Sequence, residues 1–247
     1  MYLLINIHHI FDNNEDNNED NNEKWGLYIY NRSFIMLDNI FKKRIVINNC
    51  LKNQSKVTVI NSNHIHNIDT LIIWILFYQN NIYPHQISSV STFENISDYD
   101  KKTLDFIKAI NINKPNIEEE FNEKMKIYNT RNYNTFLISY FEGKTLHHSK
   151  NRSFYKYIDK PKYLAFELLC NHLKNQKFYD IEIVYTINNN QIHSKDKYFL
   201  WKLMHPLCKI YINVKVCKFP PNNEHEYLNN LYKEKNENIK QILNKLV

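Results

Sequence analysis

The chain has 247 residues, 43% of them hydrophobic, which is ample for one large buried core and argues against disorder throughout. A net charge of +6 favours anionic partners, whether phosphates, anionic lipid headgroups or nucleic acid, without choosing among them. The four cysteines, Cys50, Cys170, Cys208 and Cys217, form no C-x-x-C pair, which argues against a zinc ribbon or a disulfide framework and makes a reducing compartment the default.

In chain order, the opening MYLLINIHHIF lacks a basic leader and a small-residue cleavage site, so it does not read as a secretory signal. Residues 12–24, DNNEDNNEDNNEK, form an acidic repeat without apolar periodicity, a flexible insertion within an N-terminal segment, 1–40. A single domain is expected over 41–247. RIVIN (44–48) and KVTVIN (56–61) predict strands. A helix should follow from about Asp69 to Asn80, and the apolar run Ile68 to Tyr78 falls short of the roughly 18 residues that span a bilayer. QISSV (86–90) predicts a strand, KKTLDFIKAI (101–110) a helix and INI (110–112) a short strand. Asn116 in capping position, followed by three glutamates and apolar residues at helical spacing, predicts the next helix. TFLISY (135–140) reads as a strand, YLAFELLCNHLKNQ (163–176) as a helix, and IEIVYTI (181–187) and KIYINVKVCKF (209–219) as strands. The tail from Asn223 reads as a polar, lysine-rich helix. Strands alternating with helices imply one α/β domain with a mixed, largely parallel central sheet flanked by helices. In such sheets ligands gather beyond the carboxyl ends of the strands.

Two stretches read either as sites or as turns without chemistry. In NHIHNID, His64 and Asp69 lie about 140° apart on a continuous helix, so they meet only if His64 sits in the loop after the strand and Asp69 in the first helical turn. A neutral imidazole held by a carboxylate on one nitrogen is a general base on the other. The same residues with His66 also admit a two-histidine metal site, although H-x-H-x-D-H fails at Ile68 and Asp69. The second stretch is TFLISYFEGKTLHHSKNR. In a chain with two glycines, Gly143 marks a positive φ or a close backbone approach, and Lys144, His147, His148, Lys150 and Arg152 make the loop after it basic.

Together these stretches resemble the glycerolipid acyltransferases, the 1-acylglycerol-3-phosphate (lysophosphatidate) acyltransferase family, and look closest to its lysocardiolipin-like branch. Asn63, His64 and Asp69 match N-H-x-x-x-x-D in full. YFEGK resembles F-P-E-G-T: Glu142 and Gly143 are kept, while Tyr140, Phe141 and Lys144 replace Phe, Pro and Thr. The second motif falls at AININKP, with Lys114 where the family usually has Arg, which loses the bidentate fork. The fourth resembles YIDKPKYLAF, in which Pro161, Lys162 and Phe166 fit. The resemblance covers residues 40 to 247.

What it implies is transfer of a fatty acyl group from a thioester, acyl-CoA as co-substrate, to the free hydroxyl of a lysophospholipid, with no metal or prosthetic group. His64 would take the hydroxyl proton and Asp69 would hold the imidazole, without a covalent intermediate; Ser62 is not assigned as a nucleophile. Asn63, Lys114, Glu142, Gly143, Lys144, Pro161 and Lys162 would bind substrate, the lysines facing phosphate. The expected setting is a membrane surface inside the cell, on its cytosolic face, with contact through exposed aromatics and lysines. Rival readings are a non-catalytic lipid- or CoA-binding member of the same fold, a metal-dependent hydrolase on His64, His66 and Asp69, and a nucleic-acid binder, for which no recognised motif is present.

Overall fold

Runs of Ile and Val with turn residues between them become strands stacked side by side, because each can be buried on both faces only inside a sheet covered by helices. The computed structural model describes residues 35, 38–52, 55–66, 68–91, 104, 107–143, 155–192 and 198–245. The acidic repeat at 12–24 and most of the helix predicted at 101–110 lie outside them. The elements in order are β1 (Ile45–Asn48), β2 (Val57–Ser62), α1 (Ile68–Gln79), β3 (Ile87–Ser91) and β4 (Ile110–Asn111). Then come α2 (Ile117–Thr130), β5 (Thr135–Ser139), α3 (Tyr163–His172) and β6 (Lys177–Ile187). The chain continues through β7 (Asn190–Gln191), α4 (Phe199–Met204), β8 (Cys208–Lys218) and α5 (Glu224–Asn244).

Among the described residues the strands form one eight-stranded mixed sheet in the order β1-β8-β6-β2-β5-β3-β4, with β7 on β6. Most pairs are parallel; β6 runs antiparallel to β8 and β7. The predicted α/β class and largely parallel sheet are therefore present. β2 lies near the middle and is buried along its whole length. Alternation along β6 sends Tyr179, Ile181, Ile183 and Tyr185 to the α1 side, in a core with Ile72, Leu76 and Phe77. Phe178 and Val184 face the other side, in a second core with Phe121 of α2, Phe166 of α3 and Leu228 of α5.

Three expectations are corrected. Asn116 stands at the start of α2 but its side chain makes no capping bond, donating instead to Glu119 at 3.4 Å. The helix predicted over 163–176 stops at His172, since Asn175 takes a left-handed φ of 62° and turns the chain into β6, which begins four residues before the predicted strand. The short α4 and β7 were not predicted. Among the described residues no helix is long and apolar enough to cross a membrane.

Candidate active site

Because β2 and β5 are parallel neighbours, their carboxyl ends release the two motif-bearing loops side by side. Asn63 extends β2 by one step with its side chain. Its Nδ2 donates to the Ile183 carbonyl at 2.9 Å and its Oδ1 accepts the Ile183 N–H at 2.7 Å, so the amide stands in for a backbone rung and fixes where the loop begins. The chain then turns, and Asp69 falls in the first turn of α1, as the spacing required.

Asp69 is fully buried and surrounded by donors. Its Oδ2 accepts the His66 N–H at 2.8 Å and lies 3.3 Å from His64 Nδ1, while its Oδ1 accepts the Tyr185 hydroxyl at 2.5 Å. Burial and then the neighbouring Asp69 carboxylate push the Tyr185 phenol well above its ordinary range, so it keeps the proton it donates. The His64 side chain is 15% exposed, whereas Asp69 is fully buried. Its ring stacks on Tyr140, with centroids 4.0 Å apart and planes at 17°, and the Tyr140 hydroxyl pairs with Thr70 at 2.9 Å. The substitution of Tyr for Phe thus adds a polar tether to α1.

Glu142 does not reach outward. It is 1% exposed, and its two oxygens accept the backbone N–H groups of His64 and Asp159, each at 3.3 Å. The carboxyl ties three segments together: the loop after β2, the turn after β5 and the approach to α3. Burial pushes it up to about 8, against the opposing pull of Lys235 and of the two N–H donors. Gly143 closes the turn, its N–H donating to the Tyr140 carbonyl at 2.8 Å with φ at 70°. A Cβ there would stand 2.8 Å from Lys162 Cδ, so the lysine stem lies directly across the glycine. Lys162 N–H donates to the Phe141 carbonyl at 2.6 Å, and Pro161 is buried beside it.

Phe141, where the resembling motif has proline, supplies a backbone donor that proline lacks. Its N–H donates to Asn61 Oδ1 at 3.2 Å, and its ring packs edge-on against Phe166 and Phe178. Asn61 belongs to a buried network that sequence reasoning missed. Its Nδ2 donates to Asp180 Oδ1 at 2.5 Å, and Lys235 Nζ reaches the same Asp180 oxygen at 2.7 Å and the Ile181 carbonyl at 3.2 Å. Lys235 is 1% exposed, so the tail helix is not simply a solvated lysine-rich one. A signal was present: Leu228, Leu231, Tyr232, Lys235 and Ile239 all fall on the helix's buried stripe, with the lysine at a core position.

Among the predicted site residues, Asn63, His64, Asp69, Glu142, Gly143, Pro161 and Lys162 gather here. Lys114 follows β4, one of the two edge strands in that order, and pairs with Glu120 Oε2 at 3.1 Å. Lys144 lies outside the described residues. Ser62 Oγ donates to the adjacent Asn63 carbonyl at 3.1 Å. The His66 ring stacks on Phe199 and its Nδ1 accepts the Ile68 N–H, and among the described residues no group of three or more His, Cys, Asp or Glu could hold a metal ion. A groove of about 700 Å³ lined by Asn49, Cys50, Lys52, Tyr179 and Asn213 to Val216 shares no residue with this cluster.

No protein-family model matches the chain, and no curated protein matches it. Among solved structures, the crystal structure of the 1-acyl-sn-glycerophosphate (LPA) acyltransferase PlsC from Thermotoga maritima is similar, with a TM-score of 0.51 at 14% identity, over 99% of this chain and 95% of that one. At that identity the likeness is one of fold.

Proposed function

We propose that this protein transfers a fatty acyl group from acyl-CoA to the free hydroxyl of a lysophospholipid such as 1-acylglycerol-3-phosphate. The observation that carries the reading is the side-by-side release of the His64–Asp69 loop and the Glu142–Gly143 turn from the carboxyl ends of β2 and β5, on a fold shared with an LPA acyltransferase. With Nδ1 turned to Asp69, His64 presents Nε2 to substrate. Nε2 takes the proton of the acceptor hydroxyl as its oxygen bonds to the thioester carbonyl carbon. The carbon–sulfur bond then breaks, and the imidazolium returns the proton to the departing CoA thiolate. Asp69, fixed by Tyr185 and the His66 N–H, keeps the imidazole in one tautomer and offsets its charge during the step.

Glu142 acts in this scheme by holding the His64 backbone against the turn after β5. Phosphate recognition falls to Lys162, whose stem crosses Gly143, with Lys144 and Lys114 as the other cations of the resembling motifs; Lys114 would exchange Glu120 for the ligand. Both substrates carry long chains, so the reaction takes place at a membrane surface. Release of free CoA thiol from palmitoyl-CoA, followed with and without lysophosphatidate, tests the reading. Acceptor-dependent release with phosphatidate as product is expected; release that ignores the acceptor would make the protein a thioesterase instead.

A further inference from the structure

Helix α4 presents apolar side chains on both of its faces. Phe199 and Leu203 turn inward and are buried. The Phe199 ring stacks on His66 at 4.4 Å and meets Tyr185 edge-on at 5.3 Å, so the inner face of α4 rests on the loop that carries the His64–Asp69 pair. Outward, Leu200 is 55% exposed, Trp201 79% and Met204 48%, and Leu207 just beyond is 56% exposed. Large apolar side chains grouped in this way mark a contact surface.

Topology sets this face at the functional edge of the sheet. Since β6 runs parallel to β2, its carboxyl end lies with that of β2, and α4 connects that end to the start of β8. β1 pairs with β8 in parallel, so its start is at the same edge, and Arg44 Nη1 there donates to the Leu203 carbonyl at 3.0 Å. Residues 38–48 and 198–211 carry Lys42, Lys43, Arg44, Lys202 and Lys209 against one acid, Asp38. Lys42, Lys43 and Lys209 are exposed. An apolar knob with an indole at its tip, beside a cluster in which cations outnumber acids five to one, has the chemistry of a bilayer interface: rings at headgroup depth, ammonium groups among phosphates.

We infer that the outward face of α4, with Trp201 at its centre, docks this protein onto a bilayer bearing anionic headgroups, setting the His64 loop beside the surface that supplies the lipid acceptor. The choice of a bilayer as occupant rests on the acyltransferase reading, and the charge of the rim supports it independently. A second copy of the chain would bring two basic rims together, which disfavours self-pairing.

The test is co-sedimentation of the full chain with phosphatidylcholine vesicles, with and without phosphatidylglycerol, at low and raised salt. Binding is expected to need the anionic lipid and to weaken with salt. It should fall about tenfold or more in Leu200→Ser/Trp201→Ser, which removes two inserted side chains, and should also fall in Lys42→Glu/Lys43→Glu, made away from the helix. Val216→Ser, at the other end of β8, should leave it unchanged. A wild type that stays in the supernatant with every vesicle, vesicle binding unchanged in both double variants, or a wild-type dimer in solution that Leu200→Ser/Trp201→Ser makes monomeric would each overturn the inference. Transfer to a monomeric short-chain lysophosphatidate separates the two claims. It should persist in the α4 variant, while its absence in a wild type that still binds vesicles would remove the acyltransferase reading and leave the docking surface standing.

Discussion

Glu142→Gln isolates the consequence of burying a carboxyl under the His64 loop. In the folded protein this group titrates near 8, against 4.5 for an ordinary glutamate. Between these values the unfolded chain has released a proton that the folded chain retains, so stability falls as pH rises, by about 1.4 kcal/mol per pH unit from this one group. From pH 5.5 to 7.5 the loss is roughly 2.5 kcal/mol; the contribution is complete below the unfolded value and gone above the folded one. Glutamine does not titrate. Its amide keeps one acceptor for the His64 and Asp159 N–H groups but sets a donor against the other, costing about 1–3 kcal/mol at acid pH. Urea unfolding of wild type and Glu142→Gln at several pH values across this window should show the wild type losing its advantage as pH rises, with the two curves differing in slope by about 1 kcal/mol per unit or more. Parallel curves would refute the claim that Glu142 is held neutral.

Other outcomes follow from the same geometry. Lys235→Met leaves Asp180 buried without its cation and should destabilise by about 3–5 kcal/mol, more at pH 8 than at pH 5, with partial recovery on adding Asp180→Asn; thermal melts at both pH values check this. Tyr185→Phe removes one of the donors holding Asp69 and should lower kcat by on the order of tenfold to a hundredfold with little change in KM for lysophosphatidate, whereas equal loss in both would point to a disturbed pocket. Gly143→Ala should cost about 1–2 kcal/mol, set by the positive φ, because the exposed Lys162 side chain can swing away from the new methyl; a neutral melting temperature would contradict that.

The helix–strand alternation and the His64–Asp69 pair were legible because both are local. A strand that ends at Ser62 and a helix that starts at Ile68 fix the approach of two residues five apart, whatever surrounds them. Tyr185 and Lys235 were not legible, since what brings them in is sheet order. Tyr185 reaches Asp69 because β6 pairs with β2, a contact across 116 residues, and the alternation of β6 turns that side chain towards α1. Asp180, of opposite parity to Tyr185 on the same strand, faces α5 and finds Lys235 there. The role of Glu142 was hidden for a related reason: a carboxylate beside a glycine reads as a ligand group, and only its burial and its two backbone donors reveal a clamp. Lys114 enters on motif order alone: β4 lies three places from β2 in the sheet, and the lysine pairs there with Glu120.

The measurement that bears most directly on the account is transfer of a labelled acyl group from acyl-CoA to lysophosphatidate by wild type, His64→Ala and Asp69→Asn, with each protein's fold checked by its melting curve. The account predicts labelled phosphatidate from the wild type, loss of about a hundredfold or more in His64→Ala, and a smaller loss in Asp69→Asn. Transfer that survives in a folded His64→Ala, or a folded wild type that forms no product, would contradict it.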